Sequence, residues 1–290
     1  MKTKKKKKLL HKLALLIVII AVVALVFLIS GRRNHVEQAP ADPHEGLVHA
    51  YNGFGYTWIL PAEGMPVNPF TEDDFDHDEN GVPSYNGNDY ATFRGVDVSE
   101  HQGDIDWQQV YDSGVRFAIL RAGGRAYDGD GSIYTDGCFV RNLEGAQAVG
   151  IDVGVYFFSQ AVNTDEAVQE AETVLSLIGD KKLQLPVFFD WETIGTQSAR
   201  TDSISGDIAT DCALALCDRI RQSGLKAGIY LYDYTANNVF ELDRLAGCTL
   251  WYAAQSSYPQ FRYAHSLWQY SFEGSVPGIY GNCDLNMMFI

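Results

Sequence analysis

A modified βα barrel is the fold class that this sequence predicts, and three features predict it. From Arg94 onward, short apolar stretches alternate with helical ones. After Asp233 the rhythm changes to strands with only short connections. Several of the strands end in acids and aromatics, as strands do where a barrel gathers its chemistry at one rim. Alternating strands and helices build a sheet covered by helices. Five βα units followed by three β-strands therefore account for residues 91–290.

The chain does not begin with that domain. Residues 1–12 carry seven lysines and no acid, and residues 13–30 are an unbroken run of 18 uncharged residues. Such a run is long enough to cross a bilayer core as a helix. The lysines before it favour an N-terminus kept in the cytoplasm. The expectation is a single-pass anchor in the cell membrane with the remainder outside. A cleaved signal, and so a secreted protein, is the competing reading, although Phe27-Leu-Ile-Ser-Gly31 offers no good small-x-small cleavage site.

Residues 31–90 read as a linker, acidic in part. Within it, the stretch from Tyr51 to Phe70 carries Tyr56 and Trp58. It either packs on the domain or forms a small turn-rich unit. Thr71 to Tyr90 includes Asp73-Asp-Phe-Asp-His-Asp-Glu-Asn80, which lacks the spacing of an EF-hand loop. A solvated tether is expected there.

Nine of the 22 Lys+Arg lie in residues 1–33, leaving 13 against 37 acidic residues, a net charge of −24 for the rest. A surface of that sign excludes binding to nucleic acid by charge. The five cysteines show no zinc or C-x-x-C spacing and read as buried free thiols. A monomer is expected, with no cofactor and no catalytic metal.

Strands are predicted at 94–99, 117–122, 152–159, 186–192 and 226–232, then at 248–255, 265–271 and 283–289. Helices are predicted at 106–113, 136–149, 163–179 and 204–223. Asn163 is placed to cap the third of these, with acids in the first turn. Gly179 and Gly224 stand where helix ends favour a left-handed residue.

Side chains two apart on a strand share a face. Asp97 is therefore expected with Gly95 and Ser99 on the lumen face of the first strand, opposite Val96 and Val98. On the fourth, Phe188, Asp190 and Glu192 point one way, and Val187, Phe189 and Trp191 the other. Asp284 reaches the same rim if the last strand runs antiparallel. Clustered buried acids repel, so one keeps its proton, as a general acid must. Aromatics crowd the strand ends: Tyr156, Phe158, Tyr230, Tyr232, Trp251, Trp268 and Tyr270. Singly, each is more often core than ligand contact. Acids amid aromatics at a barrel mouth point to glycoside hydrolysis.

Seven motifs in order carry a family resemblance. Gly95-Val-Asp-Val-Ser-Glu-His-Gln-Gly103 with Ile105-Asp-Trp107 resembles the opening motif of the glycoside hydrolase family 25 lysozymes. Gly154-Val-Tyr-Phe-Phe-Ser-Gln160, Pro186-Val-Phe-Phe-Asp-Trp-Glu192, Gly228-Ile-Tyr230, Leu250-Trp-Tyr252, Leu267-Trp-Gln-Tyr270 and Cys283-Asp-Leu-Asn286 follow in the family's order.

The resemblance implies a flattened, TIM-like barrel that cleaves the β-1,4 bond from N-acetylmuramic acid to N-acetylglucosamine in peptidoglycan glycan strands. It implies Glu192 as general acid, Asp190 beside it, and Asp97 and Asp284 completing the acidic floor. A substrate acetamide, a carboxylate nucleophile or an activated water all remain open as the second participant. Arg121-Ala-Gly-Gly124 and Phe157 depart from residues common in the family, and Arg121 is expected to line the pocket. A glycan-binding protein that has lost turnover is the alternative. The longer D-x-x-D-x-D-x-E run of chitin hydrolases is absent.

Overall fold

The computed structural model describes residues 42–290 apart from Gly53 and Gln197. The anchor expected at 13–30 lies outside the described residues, and among those described no helix is long and apolar enough to cross a membrane. Two hairpins come first: β1 (Val48–Tyr51) with β2 (Tyr56–Ile59), and β3 (Phe75–His77) with β4 (Pro83–Tyr85). There follow β5 (Thr92–Val98), α1 (Trp107–Asp112), β6 (Val115–Arg125), β7 (Ile133–Thr135) and α2 (Phe139–Ala148). Next come β8 (Asp152–Ser159), α3 (Thr164–Ile178), β9 (Val187–Trp191), α4 (Gly206–Gln222), β10 (Ala227–Tyr232) and the short α5 (Asp233–Asn238). The chain ends with β11 (Thr249–Ala253), β12 (Leu267–Gly274) and β13 (Cys283–Phe289).

Eight strands close a ring in the order β5-β13-β12-β11-β10-β9-β8-β6, with β6 pairing back onto β5. Only the two pairings of β13 within the ring are antiparallel. The five βα units and three further strands thus close as expected. Strand β7 is an addition that the sequence reading missed; it pairs antiparallel with the end of β6. The Asn163 side chain caps α3 by accepting from the Glu166 N–H at 3.0 Å. Gly179 (φ 57°) and Gly224 (φ 84°) follow α3 and α4 at positive φ, which glycine adopts without a Cβ clash.

Alternation along the strands sorts two cores. Val96, Val98, Val187, Phe189 and Trp191 pack outward with the helices. Phe117, Ile119, Phe188, Trp251, Leu267 and Met288 fill the lumen. Large lumen residues need small ones opposite. A Cβ at Gly95 would lie 2.2 Å from the Phe117 ring, and one at Gly228 would lie 2.6 Å from that of Phe188. The lumen is therefore a packed plug of side chains rather than a pore.

The expectation of a linker over 31–90 needs correcting from residue 46 onward, because the compact unit begins at Gly46. Phe70 and Phe75 are buried, and Phe70 packs 4.3 Å from the Phe289 ring between centroids. Asn68 donates to the carbonyls of Pro259 and Phe261 at 2.7 and 2.6 Å. The acids of 71–90 hid an apolar spacing. Phe70, Phe75, Tyr85 and Tyr90 turn inward to the barrel's C-terminal strand while the carboxylates stay in water.

Candidate active site

The acids converge as alternation predicted. Asp97 lies near the C-terminal end of β5, Asp190 near that of β9, and Glu192 one residue beyond β9. Because β13 runs antiparallel, its N-terminal end reaches the same rim, and Asp284 stands in register with Asp97. Burial makes the four carboxyls poor at holding charge. Asp97 is pushed up to about 6 by burial, against hydrogen bonds that favour its ionised form. Asp284 rises to about 8 through burial and the neighbouring Asp97 charge. Asp190 is held well above the usual carboxylate range by burial and then by the charges of Glu192 and Asp97. Glu192 is raised too, chiefly by burial, while its hydrogen bond with Asp190 works the other way. These two acids retain a proton between them beyond the pH at which an isolated pair would lose it.

A polar lattice below the acids holds them. Gln269 Nε2 donates to Asp97 Oδ2 at 2.8 Å and to Asp284 Oδ2 at 3.1 Å. Its Oε1 accepts from the Tyr230 hydroxyl at 2.8 Å. Asn286 Nδ2 donates to Asp97 Oδ2 at 2.7 Å, and its Oδ1 accepts from Trp251 Nε1 at 2.8 Å. Gln269 and Asn286 were not singled out as site residues in the sequence. Their signal is parity: each is polar and two residues from a lumen side chain on its own strand. Asp190 Oδ1 is buried with no hydrogen-bond partner of its own.

The remaining candidates separate. Tyr156 and Phe158 are half-buried on the lumen face of β8, with Phe158 in register with Asp190. Tyr230 takes part in the lattice. Arg121 lies at the mouth, where its Nε donates to buried Asp136 at 2.8 Å and its guanidinium reaches Glu100 at 3.3 Å. Its charge lowers the Asp190 carboxyl, but less than burial raises it.

Trp251 faces the lumen but is buried there rather than open at the rim as a substrate contact. It is wedged in the lumen against Tyr230 and Phe188, with centroids 4.7 and 5.3 Å away. Trp268 and Tyr270 need correcting as substrate contacts. On β12 it is Leu267 and Gln269 that face the lumen, so the two aromatics face outward into the packing around Phe75. Trp268 is fully buried, and its Nε1 donates to the Ala254 carbonyl at 3.0 Å.

A cavity of about 710 Å³ opens at this rim, lined by Glu192, Tyr230, Tyr232, Tyr234 and Tyr252 among others. That is room for a ligand of several rings. Among the described residues, no group of His, Cys, Asp and Glu is arranged to hold a metal ion. The arrangement offers a retained proton at an open groove, above a buried, hydrogen-bonded acid floor.

Comparison with known proteins agrees with the geometry. The chain is 28% identical over 195 residues to the autolytic lysozyme of Clostridium acetobutylicum, covering 67% of this chain but only 55% of that relative's length. It is 30% identical over 210 residues to the uncharacterized protein YegX of Escherichia coli K12, covering 68% and 69% of the two chains. Among solved structures, the modular autolysin LytC of Streptococcus pneumoniae superposes with a TM-score of 0.60 at 23% identity, over 85% of this chain and 57% of that one. A family 25 glycosyl hydrolase from Bacillus anthracis does so with 0.58 at 21% identity, over 74% and 92%. The model of the glycosyl hydrolases family 25 matches residues 96–279, from the strand that carries Asp97 to just short of β13. With that match spanning most of a barrel whose rim gathers these acids, the chain belongs to glycosyl hydrolases family 25.

Proposed function

We propose that this protein hydrolyses peptidoglycan, cutting the β-1,4 bond between N-acetylmuramic acid and N-acetylglucosamine as a lysozyme. The observation that carries the reading is Glu192, a carboxyl with raised pKa that lines an open groove with buried Asp190 beside it. Glu192 gives its proton to the glycosidic oxygen as the bond breaks. Asp190, almost out of contact with water, disfavours a second negative charge and so delays ionisation of the pair. Asp97, the more readily ionised of the two floor acids, supplies the negative field beneath a sugar ring that turns cationic in the transition state, and Asp284 adds to it as it ionises toward pH 8. The autolytic lysozyme relative supports peptidoglycan as the substrate class. Tyr156, Phe158 and Tyr230, with Arg121 at the mouth, form the walls that bind the glycan.

The uncharged run 13–30 behind its lysines supports a single-pass anchor with the domain outside the cell, and a cleaved signal would export the domain as well. Bacterial wall remodelling is the role that fits such a tether.

The test is release of reducing sugar from purified peptidoglycan by the full chain in detergent, beside Glu192→Gln. Wild type should yield fragments with reducing muramic acid ends, and the variant should be slower on the order of 10²–10⁴-fold. Equal rates in the two proteins would remove Glu192 from the reaction. No release by wild type would leave only glycan binding.

A further inference from the structure

The outward face of the β1–β2 hairpin is aromatic where a solvated strand face is ordinarily polar. Val48, Ala50, Thr57 and Ile59 form the more buried side. The register sets His49 opposite Trp58 and Tyr51 opposite Tyr56, so four rings share the other face. They form one ladder, with centroids 4.7 Å apart for His49 and Trp58, 5.3 Å for His49 and Tyr56, and 5.5 Å for Tyr51 and Tyr56. Tyr56 is 64% exposed and Trp58 42%. Contiguous exposed apolar surface of this kind marks a binding site.

The hairpin is fastened to the groove. Asn237 and Asn238 of α5 donate to the carbonyls of Tyr51 and Asn52 at 2.9 and 2.7 Å. The Phe54 ring stands edge-on to Tyr234, with centroids 5.4 Å apart. Tyr51 and Tyr56 line the same cavity as Glu192, Tyr230 and Tyr232. The ladder therefore continues the site that holds the acids, yet it lies outside residues 96–279, the stretch shared with the family.

We propose that this face of β1–β2 is a second glycan platform, on which sugar rings of the same peptidoglycan strand stack beyond those at the acids. The inference rests on the peptidoglycan reading above and adds a site to it. Pyranose rings present flat C–H faces, which pack on aromatic faces without needing charge. That suits a protein whose exported part is strongly acidic, which also argues against an anionic lipid surface as the occupant.

The experiment measures binding without turnover. Full chain carrying Glu192→Gln, in detergent micelles, is pelleted with insoluble purified peptidoglycan, alone and with Tyr56→Ala plus Trp58→Ala. The alanine pair should weaken binding about tenfold. Replacing both with phenylalanine should restore it to within about twofold, because the rings remain. Val140→Ala, which trims an exposed apolar side chain on α2, should change nothing.

Equal pelleting with and without the rings overturns the platform and leaves the ladder to a lipid surface or a second copy of the chain. Phenylalanine variants as weak as the alanine pair also overturn it, since stacking would not be the cause. A protein lacking turnover in the reducing-sugar assay loses the hydrolase reading, while the pelleting comparison still decides the platform.

Discussion

Asp97 illustrates how a single carboxyl sets the acidity of its neighbours. It accepts two hydrogen bonds that favour its charge, and that charge in turn raises Asp190, Glu192 and Asp284. Replacing it with asparagine removes the charge and keeps an acceptor for Gln269 and Asn286. Glu192 then ionises more readily, so the alkaline limb of the pH profile of kcat/KM should move to lower pH in Asp97→Asn. An unmoved limb would show that Glu192 does not feel Asp97. The four acids were legible because a residue's side of a strand follows from counting in twos. Trp268 and Tyr270 were placed at the rim as aromatics at a strand end rather than by counting, and the strand's alternation makes Leu267 and Gln269 the inward pair. Trp251 does face the lumen. What counting cannot give is depth, and the lattice through Asn286 draws its indole down into the plug.

At the level of elements, the barrel strands and helices were readable because period and punctuation agree along the chain. Both hairpins escaped that reading, because strands of three or four residues leave too short a period to see. Two substitutions test what the structure adds. Gly95→Ala forces a methyl group into the Phe117 ring, and overpacking of this kind should cost about 1–3 kcal/mol. Phe117→Leu on top of it should recover part of the loss, as read by denaturant midpoints. Phe75→Ala tests the segment whose acidic composition suggested a tether. Phe75 is buried against Phe70, Tyr85 and Trp268, so its removal should cost about 3–5 kcal/mol. A change below ~0.5 kcal/mol, the scale of an exposed site, would return the segment to solvent.

Across the whole molecule, the buried acids bind protons in the folded state that the unfolded chain has released. Asp97 moves from 3.8 to about 6, Glu170 from 4.5 to about 7 and Asp284 from 3.8 to about 8. In each window the folded state holds more protons, so stability falls as pH rises. His265 acts in the opposite sense. Burial lowers it from 6.5 to about 4, so the unfolded state holds the extra proton between those values and stability rises with pH there. The two trends oppose each other below pH 6.5. Above it the acids are opposed by Cys248, whose hydrogen bond with Cys217 and the nearby Arg221 charge lower its thiol from 9.0 to about 6, so that the unfolded state holds its extra proton and stability rises with pH between those values. The melting temperature of wild type relative to that of Asp284→Asn should therefore decline between pH 6.5 and pH 8, where Asp284 still titrates while Cys248 acts equally in both proteins. Calorimetric scans of both proteins across this range check it. A wild-type melting temperature that does not fall relative to the variant's toward pH 8 would mean that Asp284 enters the folded state already ionised, leaving the cation-stabilising floor charged throughout the working range rather than only at its alkaline end.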